Sequence, residues 1–297
     1  MTQHCGLVAV LGAPNAGKST LVNALVGQKV AIVSAKAQTT RARLMGIALA
    51  DQTQIILADT PGIFAPKRRL DRAMVAAAWE GANTADAILL VVDSRKKRRD
   101  YLADILESLT HRPERKILVL NKVDETPKEP LLIAAEELTQ ADAFDEVFFI
   151  SALTGDGVAE LKARLAALMP ESPWHYPEDQ VSDASERLLA CEITREQLYR
   201  QLHDELPYDS AVRPESYTQR KDGSVEIHQQ IVIARDSQKG IVLGKGGAKL
   251  KAIGEAARNE LAGILGVKVH LFLQVKVEEG WADAREFYDD IGLDWVK

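Results

Sequence analysis

Cysteine is almost absent from this 297-residue chain. The two that occur, Cys5 in an apolar run and Cys191 inside a helical pattern, are too few for a disulfide framework and lack metal-like spacing. Both are expected to be buried thiols in a reducing compartment. The six histidines show no ligand spacing, so zinc is not implied. No apolar run reaches the roughly 18 residues that span a bilayer, and the opening MTQHCGLVAVLG lacks the basic start and long apolar region of a secretory signal. A cytosolic protein is expected. Excess positive charge is missing as well: a formal charge of -6 argues against a uniformly basic nucleic-acid binder. Neither an internal repeat nor a low-complexity segment is present.

Two domains are expected from the length, and 46% hydrophobic residues are enough for two cores. Charge is unevenly spread. Arg235 to Lys251 hold five basic residues against one acid, whereas Glu278 to Asp294 hold seven acids and one arginine. A basic face and an acidic tail therefore share one domain.

Short Val/Ile/Leu-rich runs (LVAVLG, QIILAD, AILLVVD, KILVLNK, EVFFIS) alternate with helical patterns, the signature of a mostly parallel sheet buried by crossover helices. Leu44 to Ala50 and Gln54 to Asp59 stand too close for a crossover and pair as an antiparallel edge. Three prolines in Met169 to Asp179 mark a stiff connection. The boundaries follow as 1–170, a linker 171–184, and 185–297. Beyond the linker a helix is expected over Ser185 to Leu206, with Leu198, Leu202 and Leu206 on one face. Strands over Ser210 to Gln219 and Val225 to Ala234 join through RKDGS, whose Asp-Gly is a hairpin signal. A short helical run, a glycine turn, a helix with Leu250, Ile253, Ala257, Leu261 and Ile264 on one side, and a strand from Val267 to Val277 complete an α-β-β-α-α-β order.

Gly12, Ala13, Pro14, Asn15, Ala16, Gly17, Lys18, Ser19 and Thr20 read GAPNAGKST, which fits G-x-x-x-x-G-K-[ST] between a strand and a helix. Its glycines let backbone N–H groups curl around phosphates, Lys18 brings charge to the β- and γ-phosphates, and Ser19 offers a hydroxyl to Mg2+. DTPG supplies Asp59 for the Mg2+ shell and the Gly62 N–H for a γ-phosphate. Asn121, Lys122 and Asp124 lie in NKVD. The Asp124 carboxylate matches the two N–H donors of guanine and would leave adenine's acceptor unpaired. Ser151 and Ala152 open SAL, which closes a base pocket. An acid at a strand end or a polar turn is ordinary by itself; four such segments in this order are not.

With these motifs, KAQTTR and the terminal VKVEEGW, the chain resembles the translation-factor-related GTPases and, among them, the bacterial Era family over essentially its whole length. The resemblance implies an α/β P-loop GTPase domain followed by an α+β type II KH domain. Ala13 and Ala16 stand where family members often carry bulkier residues, with no loss of chemistry. It also implies GTP/GDP and Mg2+ as cofactors, with Thr40 giving the second Mg2+ hydroxyl and Thr39 as the alternative. Lys18, Asn15, Thr40 and Gly62 become the catalytic set.

Many GTPases carry a water-orienting glutamine after DTPG, but this chain has Ile63 and then Phe64, and neither holds a water. Either turnover is very slow or help comes from elsewhere. In similar GTPases an asparagine at the place of Asn15 binds K+, which would neutralise transition-state charge as an arginine finger does; the bland reading is that Asn15 tolerates a tight turn. Loss of the γ-phosphate would release Thr40 and Gly62 together.

Gly244, Lys245, Gly246 and Gly247 form G-x-x-G, a weak pattern alone, but in this element order it is the loop with which a KH domain clamps a single-stranded backbone. Lys245, Lys249 and Lys251 add salt-sensitive charge. Ile241, Val242 and Leu243 are candidates for the base groove and equally for plain core. By resemblance the strand is the 3′ end of small-subunit ribosomal RNA, the partner the 30S precursor, and the protein a monomer, with transient inner-membrane contact allowed. The RKKRR run, Arg95 to Arg99, is an ordinary solvated loop or an RNA contact. An RNA-binding assembly protein with negligible turnover is the alternative function; a metabolic P-loop kinase would need an acceptor pocket and a lid, and the sequence shows neither.

Overall fold

The strands β1 (His4–Leu11), β3 (Thr53–Asp59) and β4 (Ala87–Asp93) carry apolar residues on both sides of their central stretches because both faces of their sheet are covered. Alternate residues divide between two cores: Val8, Val10, Leu89 and Val91 face one, and Ala9, Leu11, Leu90 and Val92 the other. The structure is a computed structural model describing every residue except Met1, Ala35, Ala37, Gln38, Ala42, Arg43, Lys97, Arg98, Asp100, Tyr101, Ala141, Asp142, Asp204, Glu205 and Lys297.

With β2 (Leu44–Ala50), β5 (Arg115–Asn121) and β6 (Glu146–Ile150), the first sheet has the order β2-β3-β1-β4-β5-β6. The β2–β3 pairing is antiparallel and the others parallel, as the short β2–β3 connection requires. The flanking helices are α1 (Lys18–Val26), α2 (Arg69–Asn83), α3 (Ala103–Thr110), α4 (Lys128–Thr139) and α5 (Val158–Leu168). The carboxyl ends of β1, β3, β4, β5 and β6 share one edge, where functional residues of parallel sheets collect.

The proline-bearing stretch falls in the connection expected over 171–184. It lies along the first unit through Asp183. The wholly buried Gln54 holds it, accepting from the His175 and Tyr176 N–H groups at 2.9 and 3.1 Å and donating to Tyr176 O at 2.9 Å. A buried amide needs partners for both ends, and this stretch supplies them.

The second unit comprises 32–39 and 184–295. Its elements are α6 (Glu186–Gln201), β7 (Ser210–Gln219), β8 (Val225–Ile233), α7 (Asp236–Leu243), α8 (Ala248–Leu265), β9 (Val269–Val277) and α9 (Arg285–Asp290). The sheet order is β7-β8-β9, with β7–β8 antiparallel and β8–β9 parallel. Ser185 caps α6 by accepting from Leu188 N at 3.2 Å. The helix stops at Gln201, short of the expected Leu206, where Leu202 turns extended, and Pro207 keeps the residue before it from resuming a helix. Leu198, Leu202 and Leu206 still meet in one core, so their spacing reported burial and not a continuous helix. Both cysteines are buried free thiols.

The expected acidic tail is folded. Trp281 is buried edge-on against Phe287, with centroids 4.8 Å apart, and Tyr288 Oη donates to Ala282 O at 2.8 Å. Arg213 on β7 donates twice to Glu278 at 2.9 and 3.0 Å and lies over the Phe287 ring. Acids at positions such as Asp289 and Asp294 fall on the outside of a small aromatic core. Trp281→Ala should therefore destabilise the second unit by about 3–5 kcal/mol, read as a lower urea midpoint for that unit; an unchanged midpoint would return the segment to a tail.

Candidate nucleotide and RNA sites

The chain leaves β1 at Leu11 and enters α1 at Lys18 through a loop bent by positive φ at Gly12, Asn15 and Gly17. Lys18 is 6% exposed, and its Nζ donates to Gly12 O at 3.2 Å and Ala13 O at 3.1 Å, so the cation lies across its own loop. Burial pushes its ammonium down to about 8, against the pull of the Asp59 charge. A phosphate arriving at the loop would restore that charge.

Ser19, at the start of α1 beside Thr20, donates from Oγ to Asp59 Oδ2 at 2.7 Å and lies 2.9 Å from Thr40 Oγ1, which is itself 3.3 Å from Asp59 Oδ2. Two hydroxyls and a wholly buried carboxylate thus converge at the ends of β1 and β3. Hard oxygen donors of this kind fit a Mg2+ ion that takes its remaining ligands from phosphates and water. Among the described residues no group of three or more His, Cys, Asp or Glu is arranged for a metal. Thr39 points elsewhere, its Oγ1 donating to Lys36 O at 2.8 Å. Ala37 and Gln38 lie outside the described residues.

Gly62 sits hard against the phosphate loop: a Cβ there would come within 2.8 Å of Pro14 N and its ring. The next residue, Ile63, donates its N–H to Gly12 O at 3.0 Å and buries its side chain in the core. The position after DTPG is therefore structural.

Asn121 ends β5 almost wholly buried. Its Nδ2 donates to Ala16 O at 2.9 Å, and its Oδ1 accepts from Lys122 N at 2.8 Å and Ala152 N at 2.9 Å. One amide joins three loops. Asp124 is exposed in the one-turn segment Val123–Glu125, and the wholly buried Ser151 accepts from Thr154 N at 3.1 Å through Oγ.

Asp93 escaped the sequence reading, which also gave Arg95 no place in this site. Lys122 Nζ donates to Asn15 O at 2.7 Å and to Asp93 Oδ2 at 2.9 Å, so it straps the base motif to the phosphate loop. Asp93, at the end of β4, also accepts from Arg95, which reaches on to Glu125 at 2.7 Å. Burial raises Asp93, but hydrogen bonds from Arg95 and Lys122 outweigh it and hold the carboxyl at about 2. A carboxylate closing an apolar strand was the available signal. Within the RKKRR run, Arg95 is thus committed to this network and Arg99 donates to Glu137 at 3.0 Å, while Lys97 and Arg98 lie outside the described residues.

In the second unit, α7 ends at Gly244, and Gly246 and Gly247 hold positive φ before α8. A Cβ at Gly244 would meet Lys249 Cβ at 2.7 Å, whereas Gly246 and Gly247 face open space. The loop's outer rim is bare backbone. Lys245 and Lys251 are exposed, and Lys249 Nζ donates to Gln201 O at 3.4 Å. A groove of about 350 Å³ follows, lined by Gly247, Leu250, Lys251 and Arg258 on one side and Leu271, Phe272 and Leu273 on the other. The expected groove residues fall outside that lining. Val242 is core, because α7 turns it inward, while Ile241 is 59% exposed and Leu243 half-buried.

Nucleotide binding at pH 9 should take up close to one proton, because Lys18 is largely neutral there before phosphate arrives, and far less at pH 7. Calorimetry in buffers of different ionisation enthalpy measures this; equal, near-zero uptake at both values contradicts the Lys18 assignment.

The geometry agrees with comparisons to known proteins. Residues 7–122 match the model of the 50S ribosome-binding GTPase family, and residues 205–282 that of the KH domain. GTPase Era of Erythrobacter litoralis is 73% identical, with 99% of this chain and 98% of that protein covered, and GTPase Era of Bradyrhizobium sp. BTAi1 is 56% identical, with 99% and 96% covered. A crystal structure of Era with MgGDPNP and nucleotides 1506–1542 of 16S ribosomal RNA superposes with a TM-score of 0.92 at 36% identity, covering 98% of this chain and 99% of that one. An Aquifex aeolicus Era variant bound to GDP and AlF4- gives 0.88 at 35% identity with the same coverage. Sequence, fold and site converge: the chain belongs to the Era family of GTPases.

Proposed function

We propose that this GTPase is a switch whose KH domain holds the single-stranded 3′ end of 16S ribosomal RNA and assists assembly of the small ribosomal subunit. The observation that carries the switch is the convergence of Ser19, Thr40 and Asp59 within 2.7–3.3 Å of one another behind the phosphate loop. Bound Mg2+ supplies charge for the β- and γ-phosphates. Lys18 moves from its own loop carbonyls to phosphate oxygens, the Gly62 N–H meets the γ-phosphate, and Asp124 receives the guanine N–H pair. The Era relative that holds both MgGDPNP and 16S RNA supports the pairing of ligands.

Thr40 is the residue that follows 32–39, a segment bonded within the second unit through Val33 N to Glu196 Oε1 at 3.3 Å and Lys36 to Leu202 O. Loss of the γ-phosphate after hydrolysis would release Thr40 and Gly62 together. Any gain in RNA affinity on GTP binding is matched by an equal gain in GTP affinity on RNA binding. The domains run over 1–170 and 185–297, and the protein works as a cytoplasmic monomer with transient inner-membrane contact. Among the described residues no helix is long and apolar enough to cross a membrane.

The burial of Ile63 favours a second reading, an assembly protein that senses nucleotide with negligible turnover. Single-turnover hydrolysis in K+ and in Na+ separates the two. With Asn15 exposed at the loop tip as the K+ ligand, K+ should accelerate cleavage by about tenfold or more, and Asn15→Ala should erase the difference. Equal rates discard the cation. Asp124→Asn should shift selectivity from guanosine toward xanthosine triphosphate by about a hundredfold, measured by competition; retained guanine preference removes Asp124 from base reading.

A further inference from the structure

The sheet of the second unit has a covered face and an open one. Ile227, Ile231, Leu271 and Leu273 pack toward the helices. In the parallel β8–β9 register the alternate residues stand side by side on the other face: Glu226 with His270, His228 with Phe272, and Gln230 with Gln274. The His228 and Phe272 rings are stacked, with centroids 4.6 Å apart and planes 19° apart. Phe272 remains 48% exposed.

A cross-strand aromatic pair stabilises a sheet by itself, but three features point beyond that. First, Phe272 is also among the residues lining the groove beside the glycine loop, and β9 is an edge strand, so its two faces meet at the border of that groove. Second, the pair is braced. His228 Nε2 lies 2.9 Å from Glu226 Oε1, and Glu226 also accepts from Arg220, so its negative charge is matched and would not repel a phosphate chain. Third, the exposed Gln274 amide beside the ring offers both a donor and an acceptor for a base edge.

We infer that Phe272, backed by His228, is a stacking platform for one nucleobase of the RNA strand, the base that lies just beyond the groove. This rests on the RNA reading of the groove given above. Every base has a π-face, so stacking on Phe272 lengthens the bound segment by one nucleotide and adds affinity for any base, with any preference left to the Gln274 amide.

The test uses the full chain and RNA of the sequence 1506–1542, with 2-aminopurine placed at one unpaired position at a time. Phe272→Ala should weaken binding by about tenfold, Phe272→Trp should restore it, and GTP affinity should not change. At one position, the base that stacks on Phe272, 2-aminopurine fluorescence should rise in Phe272→Ala relative to wild type. His228→Ala, which leaves Phe272 in place, should give a smaller loss. If Phe272→Ala and His228→Ala bind like wild type while Gly246→Asp abolishes binding, the platform is wrong and the groove stands. A loss of affinity with no position-specific fluorescence change assigns Phe272 to sheet stability and also overturns it. If Gly246→Asp binds normally as well, the groove reading falls and takes the platform with it.

Discussion

The nucleotide site depends on a single buried side chain. Asn121 spends both ends of its amide on three separate loops, and a buried amide that lost those partners would cost about 1–3 kcal/mol for each orphaned group. The spacing between phosphate loop, base motif and closing loop is therefore set from inside the protein, before any ligand arrives. Gly17 shows how tight that spacing is: a Cβ there would stand 2.2 Å from Asn121 Nδ2. The strap from Lys122 to Asn15 O, steadied by Asp93 and Arg95, performs the same task on the solvent side.

The molecule uses lysine in two opposite ways. Lys18 is desolvated inside its loop and depressed to about 8, so it gains most from a phosphate that restores its charge in a low-dielectric setting. Lys245 and Lys251 stand in water, where attraction to a phosphate chain is long-ranged but weakened by salt. The first arrangement suits tight, oriented binding of a small anion. The second suits a long polymer met one phosphate at a time. Glycine serves both, as close packing at Gly17 and Gly62 and as open backbone at Gly246.

Segment 32–39 leads directly into Thr40. It lies between α1 and β2 in sequence, yet its packing is with the second unit: Ile32 shares a core with Ala190 and Ile193, and Val33 bonds Glu196. That accounts for Glu196, one of the two buried acids on α6. Glu196 is wholly buried, and its Oε1 accepts both from the Val33 N–H and from Arg200, so its charge is paired.

The sequence by itself determined the parallel sheet with its antiparallel edge, the α-β-β-α-α-β order of the second unit, and the positions of both glycine loops. Each follows from short-range physics: apolar runs covered on two faces, a hairpin at Asp-Gly, backbone that only glycine tolerates. Only the tertiary structure decided where α6 ends, that the acidic terminus folds around Trp281, that Val242 is core while Phe272 borders the groove, and that Asp93 and Arg95 support Lys122. Those depend on which distant strands lie side by side. A strand-end aspartate, an arginine in a basic run and a phenylalanine on an edge strand read alike in one dimension, and they differ only through the neighbours that pairing across the sheets brings to them.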